Sequence, residues 1–225
     1  SQRFYEAPTF SVYGHGNKTK ALLSIAASNR SLPISDPISG NIYNIFDNEV
    51  VKVNPTSSTT LVESDLTPYE NIQELSSVGL SQTLLQQQTY RDLTQKGWYV
   101  PLADSKKVMG ELSVVNKNLY ASVYDPKAGE IAECSVGTLG ETSIHRYCLP
   151  YGICETGAPA TKSNEVLKMG KGILPLNIGG GAAGSPAIRQ VIGGQNRKEE
   201  QEGISNQEVM RRQIVPLNWY ERHEK

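Results

Sequence analysis

The 225-residue chain lacks an apolar run near the length of about 20 residues that a bilayer-spanning helix needs. It also lacks an excess of charge of either sign, since 22 Lys and Arg face 23 Asp and Glu. The first residues, Ser1 to Tyr5, contain no basic segment followed by an apolar stretch, so no signal peptide is expected there. We therefore expect no transmembrane segment, and nothing in the charge favours nucleic acid as a partner.

Phenylalanine is also scarce, with 3 residues against 11 Tyr, while 20 Gly and 12 Pro are present. Many short strands joined by turns produce this profile, whereas a helical bundle does not. The composition therefore predicts an all-β fold with long loops.

The chain has only three cysteines, Cys134, Cys148 and Cys154. Pro150 and Gly152 can turn the chain between Cys148 and Cys154, so a disulfide there is geometrically plausible and would suit an extracytoplasmic protein. Cys134 could equally be the partner of either, and three reduced cysteines are the third alternative. The spacing fits no usual zinc pattern.

Strand patterns recur along the chain. Leu22 to Ala27 reads as a buried strand and Asn41 to Phe46 as a half-buried one. From Thr83 to Leu119 we expect β structure. The triplet Asn116-Lys117-Asn118 lies between the strand-like runs Leu112–Val115 and Leu119–Tyr124 and predicts a tight hairpin, because Asn tolerates a positive φ.

Later candidates are strands at Gly170 to Ile178 and at Ile188 to Gly194. Residues 195–225 are predicted to be a polar C-terminal tail with a candidate final strand, "IVPLNWY".

One helix is predicted, as a short insertion. In "TPYE", Thr67 can cap the helix, Pro68 is tolerated at its first position, and Glu70 can reach back to the cap amide. Ile72 and Leu75 continue the helical spacing.

Catalytic signals are weak. His15, between two glycines, has no visible nucleophile partner, and "GGGAAGSP" lacks the Gly-Lys-Ser/Thr ending of a phosphate loop. Neither a calcium loop nor a cluster of metal ligands stands out. Asn17-Lys18-Thr19 and Asn29-Arg30-Ser31 match the N-glycosylation triplet. The sequence therefore predicts no enzyme, no catalytic residue, and neither metal nor cofactor in this segment.

Two segments, "NIYNIFDNEV" and "NLYASVYDPKAGEI", are weakly similar to each other, and in both Asp follows an apolar or aromatic residue. Such a pattern is typical of a propeller strand that ends in a turn beginning at Asp.

Several stretches, taken in order, resemble the C-terminal β-propeller of the PilY-type (PilC-type) proteins of bacterial type IV pili. They are "RFYEAPTF", the strand and Arg corner of "LLSIAASNRSLPISDP" with its return strand "NIYNIFDNEVV", "TLVESDLT", "GWYVPL", and the hairpin "VVNKNLYASVYDP". The resemblance covers about residues 3–155. One departure is that Ser28-Asn29 precede the corner Arg30, where the family usually has Gly before the Arg or an acidic residue beside it.

The resemblance implies a modified β-propeller of several antiparallel blades, of which residues 1–194 would form a part. It implies a non-enzymatic protein of the pilus tip, outer membrane or periplasm that supports pilus assembly, counters retraction, and contributes to twitching motility and surface attachment. Minor pilins and the pilus tip complex, with host or abiotic surfaces, would be its partners, and strand edges would be a route to them. The family's calcium loop lies upstream of the matched stretches.

Four residues are expected to be structural: Arg30 at the corner, Trp98, Cys148 and Cys154. Arg30 has five donors with which to tie the corner to the next strand. The alternatives are an extracellular or periplasmic carbohydrate-binding β domain that uses exposed tyrosines, and a quinone-cofactor propeller enzyme. Such an enzyme would need a stacked Trp, a metal-bound carboxylate and a funnel built by all blades; Trp98 and Trp219 are present, but no acidic pair stands at matching positions.

Overall fold

A computed structural model describes residues 3–15, 18–50, 60–77, 83–128, 139–153, 167–180, 188–192 and 208–209. These residues are mostly β, and the sheets do not close on themselves. The strands are β1 (Arg3–Phe4), β2 (Thr9–His15), β3 (Lys18–Ser28), β4 (Asn41–Asp47), β5 (Thr67–Pro68), β6 (Gly97–Pro101), β7 (Lys107–Val108), β8 (Ser113–Val115), β9 (Asn118–Asp125), β10 (Glu141–Cys148), β11 (Leu167–Lys171), β12 (Asn177–Gly180), β13 (Ile188–Ile192) and β14 (Glu208–Val209). The helices are α1 (Tyr69–Ser77) and α2 (Thr83–Leu93), and Glu63–Asp65 form a short 3-10 helix.

The first sheet is an antiparallel meander in which β2, β3, β4 and β6 pair in that order. Strand β1 pairs with β3 beyond the end of β2, on the edge opposite β4, so the first strand of this sheet is split. β5 adds a short parallel pairing to β6 at the other edge. The 3-10 helix and both α-helices lie between β4 and β6 in the chain.

The second sheet repeats this arrangement with β7 and β8, β9, β10 and β11. In the first sheet Phe4 pairs with Ala27 and Thr9 pairs with Ser24. Four residues therefore separate β1 from β2, while only two residues of β3 lie opposite this gap. In the second, Val108 pairs with Val123 and Ser113 with Tyr120, which is the same interruption. The two sheets are therefore built on one pattern, although their sequences differ.

The third sheet contains β12, β13 and β14. β14 falls in the predicted tail of residues 195–225 and pairs with β13, which lies in the predicted propeller segment. The candidate strand "IVPLNWY" lies outside the described residues.

Several expected strands are confirmed. Leu22 to Ala27 lies within β3, and Asn41 to Phe46 lies within β4. The hairpin is confirmed as well, because Asn116 (φ 47°) and Lys117 (φ 61°) form a two-residue turn between β8 and β9. Two consecutive positive φ angles match the right-handed twist of the flanking strands.

The prediction of β structure from Thr83 onward is wrong for its first part, because Thr83–Leu93 forms α2. The segment "TLLQQQTYRDL" is rich in Leu, Gln and Arg, which lose little rotamer freedom in a helix, and this outweighs the strand signal of Thr and Tyr.

The predicted cap of the first helix is also wrong. α1 begins at Tyr69, while Thr67 and Pro68 form β5. The Thr67 hydroxyl donates to the carbonyl of Leu93, 2.8 Å away, at the end of α2. It therefore ties the two ends of the helical insertion together.

The strand expected at Gly170 to Ile178 is divided between β11 and β12. The chain leaves the second sheet after Lys171, and Gly172 has a φ of 85°, which an L side chain rarely adopts. The Thr142 hydroxyl contacts this break, since the amide of Leu174 donates to it at 3.2 Å.

The main core lies between the first two sheets. Leu22, Ile42 and Trp98 from the first sheet are fully buried. They form one apolar cluster with side chains of the second sheet, including Val108, Leu119, Ala121, Val123 and Tyr147. We call the face of the first sheet that contains Leu22, Ala26, Ile42 and Trp98 its inner face, and the opposite face its outer face.

Glycine is required where β6 begins. A Cβ on Gly97 would lie 2.2 Å from the Asn44 carbonyl oxygen, and its φ is 141°. Only glycine lets β6 come this close to β4.

Candidate functional site: a sheet corner and an exposed outer face

The corner between β3 and β4 joins the first two sheets through Arg30. Its Nε donates to the carbonyl of Val108 at 3.1 Å, and its Nη2 donates to the carbonyl of Gly110 at 2.9 Å. Its Nη1 forms an ion pair with Glu6, and the guanidinium lies over the ring of Tyr5. Arg30 thus holds the interrupted strand of the second sheet against the corner of the first.

Lys107 supports the same corner from the second sheet. Its side chain is 0% exposed, and Nζ donates to the carbonyls of Asp36 (2.8 Å), Ile38 (2.5 Å) and Ser105 (3.1 Å). Burial lowers the pKa of the ammonium, and the nearby Asp36 carboxylate opposes this shift. Its donors fix the loop that follows Arg30.

The predicted glycosylation triplet at Asn29 is part of this corner. The Asn29 amide nitrogen donates to the Asp36 carboxylate at 2.5 Å. The nitrogen that a glycan would occupy is therefore engaged in the fold. The other triplet begins at Asn17, which lies outside the described residues.

Trp98 lies at the centre of an aromatic cluster. Its ring is 5.5 Å from that of Tyr69 in α1 and 6.4 Å from that of Tyr147 in β10, and Nε1 donates to the Pro150 carbonyl at 2.8 Å. Trp98 is 0% exposed and therefore has no contact with solvent. Its ring contacts link the helical insertion to the second sheet.

Cys148 is disulfide-bonded, which makes the alternative of three reduced cysteines wrong. Cys134 and Cys154 both lie outside the described residues. The backbone of His15 ends β2, while most of "GGGAAGSP" lies outside the described residues.

Among described residues, no three His, Cys, Asp or Glu side chains come together as metal ligands do. His145 is a partly buried histidine whose Nδ1 lies 3.1 Å from the hydroxyl of Tyr147. Burial lowers the pKa of His145 to about 4, and Lys106 adds to the shift. The pair sits on the face of the second sheet that packs on the first.

Several apolar side chains on the outer face of the first sheet are exposed to solvent. Phe4 is 60% exposed, Phe10 is 56% exposed and Val12 is 54% exposed. Leu23, Ile25, Tyr43 and Ile45 continue this face as half-buried residues. Exposed apolar residues that form a contiguous patch are typical of an interaction surface.

Tyrosines on this face contact one another. The rings of Tyr43 and Tyr99 stack with centroids 6.0 Å apart, and Phe4 lies 6.2 Å from Tyr43. The Tyr43 hydroxyl donates to Glu63 at 2.5 Å, and burial together with this carboxylate raises its pKa to about 12. Tyr43 is thus fixed by a ring stack and by a hydrogen bond to an acidic side chain.

Sequence reasoning missed the outer face and the repeated split strand. The internal similarity between "NIYNIFDNEV" and "NLYASVYDPKAGEI" relates β4, the third strand of the first sheet, to β9, the second strand of the second sheet. These two strands do not occupy corresponding positions. The aspartates of the two segments do begin turns, because Asp47 accepts from the Glu49 amide at 2.7 Å and Asp125 from the Lys127 amide at 2.9 Å. The recurring spacing of "RFYEAPTF" and "KVMGELSV" was the signal that could have revealed the repeat.

Within the described part of the chain, neither helix is long and apolar enough to cross a membrane.

No family model matches the chain, and no curated protein matches it. Among solved structures, it is similar to the crystal structure of the Pseudomonas aeruginosa PilY1 C-terminal domain, with a TM-score of 0.52 and 10% sequence identity. The match covers 86% of this chain and 43% of that one, so the chain spans less than half of the matched domain. The similarity concerns the fold.

Proposed function

We propose that this chain is part of a non-enzymatic protein of type IV pilus biogenesis and adhesion. The observation that carries the proposal is the similarity of fold to the PilY1 C-terminal domain over 86% of the chain. The ordered resemblance of residues 3–155 to PilY-type proteins is a property of the sequence and supports the same conclusion.

We further propose that the first two sheets are blades of a modified β-propeller. Each contains a four-stranded antiparallel meander with a split first strand, and the two sheets pack face to face around one apolar cluster. Successive packing of such sheets is the arrangement from which propellers are made.

The proposed role places the protein outside the cytoplasm, at the pilus tip, outer membrane or periplasm of a bacterium. The disulfide at Cys148 supports an oxidising compartment. Its partners in this role are minor pilins and the pilus tip complex, together with the surface to which the cell attaches.

Deleting the gene in the source bacterium tests the function. We expect fewer surface pili by electron microscopy, smaller twitching zones and weaker attachment, all restored by a plasmid copy. Because the proposed protein counters retraction, removing the retraction motor in the same strain should restore piliation but not attachment. Unchanged piliation, twitching and attachment after deletion would contradict the proposal.

A further inference from the structure

Exposed aliphatic side chains lie together at one end of the first two sheets. Leu32, Ile34 and Ile38 belong to the loop between β3 and β4 and are 54%, 53% and 44% exposed. Leu139, shortly before β10, is 42% exposed, and Ile173, shortly after β11, is 48% exposed. We call the end of the two sheets that carries these five side chains the corner end.

Hydrogen bonds of Lys107 place the β3–β4 loop at the end of β9. Its ammonium donates to the carbonyls of Asp36 and Ile38 in the loop. In the second sheet, Lys107 pairs with Tyr124, close to the last residue of β9. The loop of the first sheet therefore lies beside the corner of the second.

The other two aliphatic residues are tied to the same place. The Tyr124 hydroxyl donates to the carbonyl of Leu139 at 2.9 Å. The amide of Gly172 donates to the carbonyl of Gly140, also at 2.9 Å, so the segments that carry Leu139 and Ile173 are joined. Both sheets thus contribute apolar side chains to the corner end.

The backbone beneath the exposed loop residues is already paired. The Asp36 amide donates to the Leu32 carbonyl at 3.2 Å, and the Ile38 amide donates to the Asp36 carboxylate at 2.9 Å. Pro37 has no amide donor, and its carbonyl accepts from the Ser105 hydroxyl at 3.2 Å. The carbonyls on either side of Pro37 accept from the buried ammonium described above. This part of the loop can leave water without leaving a backbone group unpaired.

The loop is also fixed in position by the chain that leads to the second sheet. The Gly40 amide donates to the Lys106 carbonyl at 2.7 Å, and the Gly40 carbonyl accepts from the Leu102 amide at 3.0 Å. The Ser105 amide donates to the Ser39 hydroxyl at 3.0 Å. Because the loop is ordered in advance, a partner that covers it need not order it first.

The loop exposes little charge. Asp36 is the one ionisable residue from Ser31 to Gly40, and it is 9% exposed. Its carboxylate accepts from the Asn29 amide nitrogen and is held inside the corner.

The other charges near the corner end almost balance. Lys106 lies 3.6 Å from the Asp125 carboxylate and 4.0 Å from the Asp104 carboxylate. With these three, the ionisable side chains described near this end, outside the Arg30–Glu6 ion pair and buried Lys107, are four bases and three acids, namely Lys106, Arg3, Lys127, Lys171, Asp104, Asp125 and Glu141. Apolar burial, and not attraction between charges, is therefore the main force that this surface offers to a partner.

We propose that the corner end is a membrane-docking surface, whose Leu and Ile side chains enter the boundary between the headgroups and the acyl chains of a lipid bilayer. Such a boundary accepts aliphatic side chains but supplies few hydrogen bonds to a backbone beneath them. A protein partner is less well matched, because protein interfaces make about one hydrogen bond per 100–200 Å² and the main-chain groups from Asp36 to Ile38 already have partners. This inference concerns direct contact with lipid and does not rest on the proposed role in pili.

Flotation of the full chain with lipid vesicles tests the proposal. One set of vesicles contains phosphatidylcholine alone, and the other contains equimolar phosphatidylcholine and phosphatidylglycerol. We expect the chain to float with both. Raising NaCl from about 0.1 M to about 1 M shortens the Debye length from about 10 Å to about 3 Å, and it should lower the bound fraction less than twofold because the charges nearly balance.

Substitutions locate the contact. Ile34→Asp should weaken vesicle binding at least tenfold and leave the melting temperature unchanged, because Ile34 is 53% exposed. Leu32→Asp, at 54% exposure, is a second variant with the same expectation. Val12→Asp is the matched control, since Val12 is also 54% exposed but lies on the outer face of the first sheet, and its vesicle binding should equal that of the unmodified chain.

Four results would overturn the proposal. The folded chain might float with neither kind of vesicle, or high salt might abolish flotation, which would assign the binding to charge. Binding that is lost in Val12→Asp but kept in Ile34→Asp and Leu32→Asp would assign it to the outer face. A dimer in analytical ultracentrifugation that Ile34→Asp converts to a monomer would show that a second copy covers the corner end. None of these results bears on piliation, which the gene deletion tests separately.

Discussion

Replacing Arg30 by Ala is expected to destabilise the fold, because one side chain connects the corner of the first sheet to the split strand of the second. The substitution removes the donors to Val108 and Gly110 and the ion pair with Glu6. The two carbonyls then lose partners that are 78 and 80 residues distant in sequence. The contact is therefore tertiary, and no local rearrangement replaces it.

The magnitude follows from these contacts. A hydrogen bond to a charged donor contributes about 1.5–3 kcal/mol, while a partly exposed ion pair adds at most about 1 kcal/mol. The Arg30 and Glu6 side chains are 16% and 31% exposed, so water can replace part of what is lost. We expect the free energy of unfolding to fall by about 3 kcal/mol, which for a domain of this size lowers Tm by about 6–12 °C.

Urea unfolding followed by circular dichroism, together with calorimetry, measures this change. Arg91→Ala is the matched control, because Arg91 lies on α2 and its hydrogen bond and ion pair are with Gln88 and Asp92 of the same helix. Its effect should stay within about 0.5 kcal/mol. An Arg30→Ala protein as stable as the Arg91→Ala protein would refute the reasoning, and lost attachment at unchanged Tm would make Arg30 a contact residue instead.

Three further predictions concern other described residues. Trp98→Phe should cost about 2 kcal/mol in urea unfolding, since it removes the bond to the Pro150 carbonyl and leaves a gap in the buried cluster; an effect below about 0.5 kcal/mol would contradict this. Lys117→Gly should raise the free energy of unfolding by about 0.5–1 kcal/mol, because a φ of 61° costs Lys more than Gly, and a decrease would show that the turn is not strained. The pKa of His145 is lowered to about 4 in the folded state, because the neutral imidazole is the form that the fold buries. The stability that depends on this neutral form is complete above about pH 6.5 and is lost as the pH falls toward 4. His145→Gln should flatten this acid-induced loss by up to about 3 kcal/mol, and an unaltered pH profile of unfolding would refute it.

The sequence predicted best where local chemistry and tertiary packing favour the same structure. β3 has a continuous small and aliphatic run that suits a strand buried between neighbours, and Asn116 suits a positive φ. The segment of α2 lies between strand-like runs, and local sequence does not show that its Leu, Gln and Arg content decides for a helix. Thr67 was misplaced because its hydroxyl has a distant acceptor that local spacing does not reveal.

The candidate site was predictable only in part. A corner role for Arg30 could be inferred from the residue type and its place between two strands, but its acceptors lie in the next sheet. The buried position of Lys107 could not be inferred, because the second lysine of Lys106-Lys107 looks no different from the first. The outer face could not be predicted without the registers of β1 and β2 on β3, since Phe4 and Phe10 belong to separate strands of the first sheet.

The ammonium of Lys107 does for its loop what a bound cation does elsewhere: it gathers three main-chain oxygens around one positive charge. Because this charge is covalently attached to the chain, dilution and chelators do not remove it. The loop from Ser31 to Gly40 should accordingly keep its protection from hydrogen exchange in EDTA, whatever divalent ions the surrounding medium holds.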